Sequence, residues 1–152
     1  MLEVNMKVAL IGTTAGCVVG FRIDMIRALI AEGHQVYAFA LDYDEETSEL
    51  VNNMGATPIN YRLSRTGLNP LLDIFNTFAL SRQIREISPD LVFTYFAKPV
   101  IFGTFAAVLA GVKRRIGMLE GLGYVFTEQP EGMKLKTKII RNVQILLYRL
   151  AF

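Results

Sequence analysis

The chain has 152 residues, 52% of them hydrophobic and 20% charged, with a formal net charge of +2. That length suits a single domain, and the apolar fraction is enough for a full core, which excludes wholesale disorder. A single cysteine, Cys17, excludes an internal disulfide and suits a reducing, cytoplasmic setting, while a single histidine, His34, excludes a multi-histidine metal site.

In chain order, Lys7 to Gly12 is a short apolar run that reads as a buried strand. Gly12 to Gly20 reads as a small-residue loop with glycines at 12, 16 and 20. Phe21 to Glu32 has Phe21, Met25, Ile26, Leu29 and Ile30 at helical spacing, with Gly33 placed to close it. Val36 to Leu41 is a second strand, followed by Asp42 and Asp44. Glu45 to Met54 reads as a helix with acids in its first turn and Gly55 after its end. Ala56 to Tyr61 is a third strand and Ser64 to Pro70 a loop. Leu71 to Ile87 reads as a long amphipathic helix stopped by Ser88-Pro89. Asp90 to Tyr95 is a fourth strand, Pro99 to Ala110 a buried helix closed by Gly111, and Arg114 to Met118 a fifth strand. A glycine-rich turn, Glu120 to Gly123, follows, and Lys134 to Phe152 reads as a last helix.

Strict alternation of apolar strands and helices predicts an α/β fold, a Rossmann-like doubly wound parallel sheet in one domain over residues 1–152. The N-terminus lacks the basic and apolar regions of a signal peptide. The longest apolar run, Pro99 to Val112, falls short of the roughly 20 residues that a bilayer span needs. The chain stops at Leu150-Ala151-Phe152 inside an apolar pattern, which leads us to expect a second half outside it.

Ligands of open α/β sheets bind at the carboxyl ends of the strands. That rim collects Gly12–Gly20, Asp42–Asp44, Arg62–Asn69, Tyr95–Lys98 and Glu120–Gly123. The first loop, with Gly12, Thr13, Gly16 and Gly20, feeds a helix start that can offer backbone N–H groups to an anion. Its glycine spacing does not match the dinucleotide fingerprint. Arg22 is either a phosphate ligand or a solvated first-turn residue. Arg62 and Arg65 bracket Ser64 and either hold a phosphate or are ordinary surface charge. Glu120 is either a proton acceptor or sugar ligand, or a turn cap. His34 lies on the opposite rim and reads as structural, and Cys17 has no histidine near in sequence to make it a nucleophile.

Positive charge is concentrated at the end: Lys134, Lys136, Lys138, Arg141 and Arg149, with no acid among them. This argues against a general nucleic-acid binder and for one specialised segment. Leu135, Ile139, Val143, Leu146, Leu147 and Leu150 form an apolar stripe on the same helix. A basic amphipathic helix of this kind suits contact with an anionic membrane surface, or packing on the sheet or a missing half, or both.

Three segments together, KVALIGTTAGCVVGFRIDMIRALIAEGHQVYAFALD, SRTGLNP and RRIGMLEGLGYVFTE, resemble family-four glycosyltransferases of the GT-B fold. The resemblance covers roughly residues 7–150 and is strongest to bacterial enzymes that add a hexose or N-acetylhexosamine to a polyprenyl-pyrophosphate-linked sugar. It implies the acceptor-side N-terminal domain of a retaining enzyme, with the nucleotide-sugar domain absent from this chain and the chain inactive alone. It implies a nucleotide-sugar as donor substrate, no cofactor and no metal. Glycans for capsule, lipopolysaccharide or glycoproteins are the implied products, and the cytoplasmic face of the cell membrane the implied location. On this chain it implies a donor-diphosphate and cleft loop at Gly12, Thr13, Gly16, Gly20 and Arg22, and a cleft position with a catalytic role for Glu120. The acceptor would be met by Arg62, Ser64, Arg65, Asn69, Lys98, Gly121 and Gly123, and the membrane by Lys134, Lys136, Lys138 and Arg141. Two other readings stay open: a non-catalytic subunit that recruits a split transferase to the membrane, and a nucleotide-binding Rossmann oxidoreductase or epimerase. Against the latter stand the broken glycine fingerprint and the lack of a Tyr-x-x-x-Lys pair.

Overall fold

The structure, a computed structural model, describes residues 5–64, 69–121, 126–127 and 134–152. Five strands form one sheet: β1 (Lys7–Ile11), β2 (Gln35–Ala40), β3 (Thr57–Asn60), β4 (Leu91–Tyr95) and β5 (Arg114–Met118). Their order is β3-β2-β1-β4-β5, and every neighbouring pair is parallel. The helices are α1 (Ala15–Phe21), α2 (Ile23–Ala31), α3 (Glu45–Asn53), α4 (Pro70–Ile87), α5 (Thr104–Ala110) and α6 (Leu135–Ala151).

The central strand explains the layering. Successive side chains of a strand face opposite sides, and in β1 both sides are apolar. Val8 and Leu10 join Ala15, Val18, Ile26 and Val51 in the core under α1 to α3. Ala9 and Ile11 join Phe39, Leu80, Ile84, Val92 and Ala106 in the core under α4 and α5. Helices on both faces are what a parallel sheet needs to bury its two apolar surfaces. His34 accepts a hydrogen bond at Nδ1 from the Met6 amide, 3.4 Å away, on the amino-end rim, which agrees with a structural role.

The fold departs from the sequence expectation in three places. Most of the predicted loop Gly12–Gly20 is helix, and Gly16 and Gly20 lie inside α1. Thr14 caps α1, Ala15 and Val18 are buried beneath it, and a Cβ at Gly16 or Gly20 would meet open space. The backbone at both glycines is therefore open on that side. The predicted helix Pro99–Ala110 opens with a π-helical turn, Pro99–Gly103, before α5. Gly103 lets it lie close on β4, since a Cβ there would stand 3.0 Å from Thr94 Cγ2.

The third departure is α4. Its inward face is polar: Asp73, Asn76, Thr77 and Ser81 are all buried. Its outward face is apolar: Leu71, Ile74, Phe75 and Phe78 are exposed, Leu71 by 80% and Phe75 by 68%. An amphipathic helix is present, but in its first half the amphipathicity is reversed. Its core contacts lie in its second half, where Leu80 and Ile84 are buried and Ile87 packs against them.

Candidate functional site

With strands ordered 3-2-1-4-5, the chain leaves β1 toward one side of the sheet and later returns to β4 on the other. The crevice at the carboxyl ends of β1 and β4 is thus the topological switch point, where such sheets bind ligands.

Gly12 follows β1 at that point. Its carbonyl accepts a hydrogen bond from the Tyr61 hydroxyl at 2.5 Å, and its amide donates to the Phe39 carbonyl at 3.2 Å. A Cβ on residue 12 would collide with the ring of Tyr95. Gly12 is therefore where backbone and ring are in closest contact. The start of α1 is satisfied from within: Thr14 Oγ1 accepts from the Cys17 amide at 3.3 Å and Asp42 Oδ1 accepts from the Ala15 amide at 2.7 Å. Asp42, placed where a ribose-binding acid would sit, is used as a helix cap. Thr13 contributes its carbonyl to the Leu41 amide, 2.8 Å away. Two amides of this loop, those of Ala15 and Cys17, thus already have acceptors.

Arg22 is neither a solvated residue nor an open phosphate ligand. It is 7% exposed, with its guanidinium carbon 4.4 Å from the centroid of the Tyr95 ring. Its Nη2 pairs with Glu120 Oε1, and its Nη1 donates to the Phe21 carbonyl at 3.1 Å. Two sequence candidates from distant loops are thereby joined over a tyrosine. Arg22 Nε and the Tyr95 hydroxyl are buried without a hydrogen-bond partner among the described residues. Burial pushes the Tyr95 phenol above its ordinary range, with Arg22 opposing that rise. Phe96, next in the chain, has φ of 69°, a left-handed conformation that strains a non-glycine residue and tends to mark functional positions.

A second cluster stands one element over. Lys98 Nζ lies 3.0 Å from Asp73 Oδ2 and donates to Ser64 Oγ at 2.5 Å, while Ser64 Oγ donates to Asp73 Oδ1. Ser64 and Lys98, both expected at the acceptor, are thus brought together. Asp73 carries no motif that would single it out, yet it links them, and its side chain is only 3% exposed. The signal was the polar stripe Asp73, Asn76, Thr77, Ser81 at helical spacing; what the sequence did not show was that this stripe faces inward.

The remaining candidates are scattered. Arg62 is exposed and lines a shallow depression with Leu63, Leu72 and Phe75. Asn69 caps α4, accepting from the Leu72 amide at 3.2 Å, so its side chain is already engaged. Gly121 has φ of 84° with open space around it. Arg65 and Gly123 lie outside the described residues. Lys134, at the N-cap of α6, and Lys136 and Lys138, within it, are exposed, and Arg141 is half-buried. The apolar stripe of α6 is largely exposed too: Leu135, Ile139, Val143, Leu146 and Leu150 all face solvent. Among the described residues, no helix is long and apolar enough to cross a membrane.

Solved glycosyltransferases share this fold. CalG4, the calicheamicin glycosyltransferase, superposes with a TM-score of 0.57 at 14% identity, over 92% of this chain and 37% of its own. MurG from Acinetobacter baumannii gives 0.56 at 20% identity, over 75% of this chain and 34% of its own. At such identities the likeness speaks for fold alone, a Rossmann-like half of the GT-B architecture. The chain belongs to the glycosyl transferase 4-like family, whose profile matches residues 7–150. It is a glycosyltransferase domain, and membership sets aside the oxidoreductase and epimerase readings. A curated relative from Campylobacter jejuni, N,N'-diacetylbacillosaminyl-diphospho-undecaprenol alpha-1,3-N-acetylgalactosaminyltransferase, is 29% identical over 147 residues, 97% of this chain. The chain spans 38% of that relative's length.

Proposed function

We propose that this chain is the acceptor-side, N-terminal half of a retaining glycosyltransferase that adds a hexose or N-acetylhexosamine to a polyprenyl-diphosphate-linked sugar at the cytoplasmic membrane surface. The products are glycans of polysaccharide, lipopolysaccharide or glycoprotein pathways. A second, nucleotide-sugar-binding half completes the cleft, so the isolated chain is inactive; the donor is substrate, and the reaction needs no metal or cofactor.

The observation that carries this reading is the outward apolar face of α4, Leu71, Ile74, Phe75 and Phe78, next to the Lys98–Asp73–Ser64 cluster. Apolar side chains facing water are unfavourable unless something covers them, and a bilayer bearing the acceptor supplies that cover. The relative's lipid-linked acceptor supports the same chemistry. The basic face of α6 adds attraction to anionic headgroups, roughly 1 kcal/mol per lysine near the surface. Within this reading Arg22, Tyr95 and Glu120 form the floor of the cleft, with Glu120 positioned by Arg22 to meet sugar hydroxyls. Lys98 and Ser64 approach the acceptor diphosphate.

The test is co-sedimentation with anionic phospholipid vesicles, with and without polyprenyl-diphosphate sugar. Wild type should bind in a salt-sensitive way, more tightly with the acceptor lipid. A Lys134→Glu/Lys136→Glu/Lys138→Glu triple variant should lose at least about 100-fold in affinity, three charges at roughly 1 kcal/mol each. No binding of wild type at low salt overturns the membrane-docked reading.

A further inference from the structure

We propose that the pocket enclosed by the π-helical turn Pro99–Gly103, α4 and α6 is a slot for the first prenyl unit of the lipid carrier, with Lys98 at its mouth taking the diphosphate. This deepens the lipid-linked-acceptor reading above and rests on it.

The pocket has a volume of about 160 Å³. Ala97, Ile101, Phe102, Ile140, Val143 and Leu147 supply its apolar walls, and Asp73, Lys98 and Gln144 its polar groups. Size selects the occupant class. An apolar cavity of about 150 Å³ stays dry and accepts a ligand the size of benzene. A branched five-carbon isoprenyl unit is of that order, and a sugar ring, which needs hydrogen bonds on every side, is poorly served by such walls. Charge selects what lies beside it. Lys98 lines the pocket with Asp73, its Nζ 5.9 Å from the centroid of the Phe102 ring. An ammonium has three donors; among the described residues two reach Asp73 and Ser64. The third suits a phosphate oxygen. Asp73 fixes the lysine in place and Ser64 holds both, so the cation is pre-positioned.

Access is consistent with a lipid. The helices that wall the pocket, α4 and α6, are the ones that expose apolar faces, Ile74, Phe75 and Phe78 on one and Ile139, Leu146 and Leu150 on the other.

The experiment titrates the 152-residue chain calorimetrically with farnesyl diphosphate, a soluble short-chain probe, against inorganic pyrophosphate. Wild type should bind farnesyl diphosphate at least about tenfold more tightly than pyrophosphate, because burial of the prenyl unit adds to the ionic contact. Val143→Trp fills the slot from a position already 45% exposed, so folding tolerates it. It should weaken farnesyl diphosphate by about tenfold or more and leave pyrophosphate unchanged. Leu50→Ala, an exposed position on α3 outside the pocket, should change neither. A Val143→Trp chain that binds farnesyl diphosphate as tightly as wild type overturns the slot and leaves the lipid-linked acceptor standing. Failure of wild type to bind farnesyl diphosphate also overturns the slot, and the vesicle assay then decides the acceptor reading separately.

Discussion

Gly12 shows how one missing side chain sets a site. The absence of a Cβ lets the buried Tyr95 ring press on the backbone after β1, and the ring in turn carries Arg22. Gly12→Ala forces ring or strand to move, an overpacking that costs about 1–3 kcal/mol. Urea denaturation should show this loss, and Tyr95→Leu in the same chain should recover part of it, since the two residues contend for the same space. Arg22 and Glu120 make a second prediction. Removing the carboxylate with Glu120→Ala leaves a buried guanidinium short of an acceptor, a loss of about 1–3 kcal/mol. Replacing both, as Arg22→Met/Glu120→Leu, should be closer to wild type than Glu120→Ala alone, because no unpaired charge stays buried. Additive losses in the double variant would show that the pair is not coupled.

At the scale of single elements, α3 and α4 differ in what shapes them. In α3 the shaping is local: Asp44 and Thr47 form a capping box, with Asp44 Oδ1 accepting from the Thr47 amide at 2.8 Å. These bonds hold the Asp44 carboxyl below its ordinary value, the side-chain bond from Thr47 first among the causes. A lowered folded-state value means that the stabilisation is present above the unfolded-state value and lost as pH falls through the folded one. Asp44→Ala should therefore lower the melting temperature at neutral pH, and the gap from wild type should close in acid below the carboxylate range. In α4 the shaping is tertiary. Its outward Phe75 and Phe78 carry no core packing, so Phe75→Ser/Phe78→Ser should change stability by no more than about 0.5 kcal/mol. The same variant should bind anionic vesicles markedly less well. A large stability loss with unchanged vesicle binding would mean that this face is covered by protein.

For the whole molecule, strand order turns separated segments into one rim. Paired residues of β1 and β4 are far apart in the chain, Val8 with Leu91 through Ile11 with Thr94, yet the two strands are neighbours. Their adjacency brings residues 12, 22, 95 and 120 into one cluster and 64, 73 and 98 into another. The first cluster lies at the switch point and the second beside the apolar faces of α4 and α6. In the proposed function the acceptor and the membrane are met on these neighbouring surfaces, and variants of separate residues, the basic side chains for vesicles and Val143 for the prenyl diphosphate, tell the two predictions apart.

Alternation of buried strands with capped helices is a local property, and it was enough to determine the α/β class, the five strands and the basic final helix. Arg114–Met118, for example, is a strand with the bounds that its residues suggest. The family segments likewise pointed to a glycosyltransferase before any contact was seen. Three things were decided only in three dimensions. Gly16 and Gly20 became helical because Thr14 and Asp42, the latter from another loop, satisfy the start of α1. Arg22 became buried because Tyr95, at the end of β4, and Glu120, in the turn after β5, reach it. And α4 turned its polar stripe inward because Lys98 and Ser64 wait there for Asp73. Helical periodicity shows that a helix has two faces, but it is the partner each face meets that decides which one is inside.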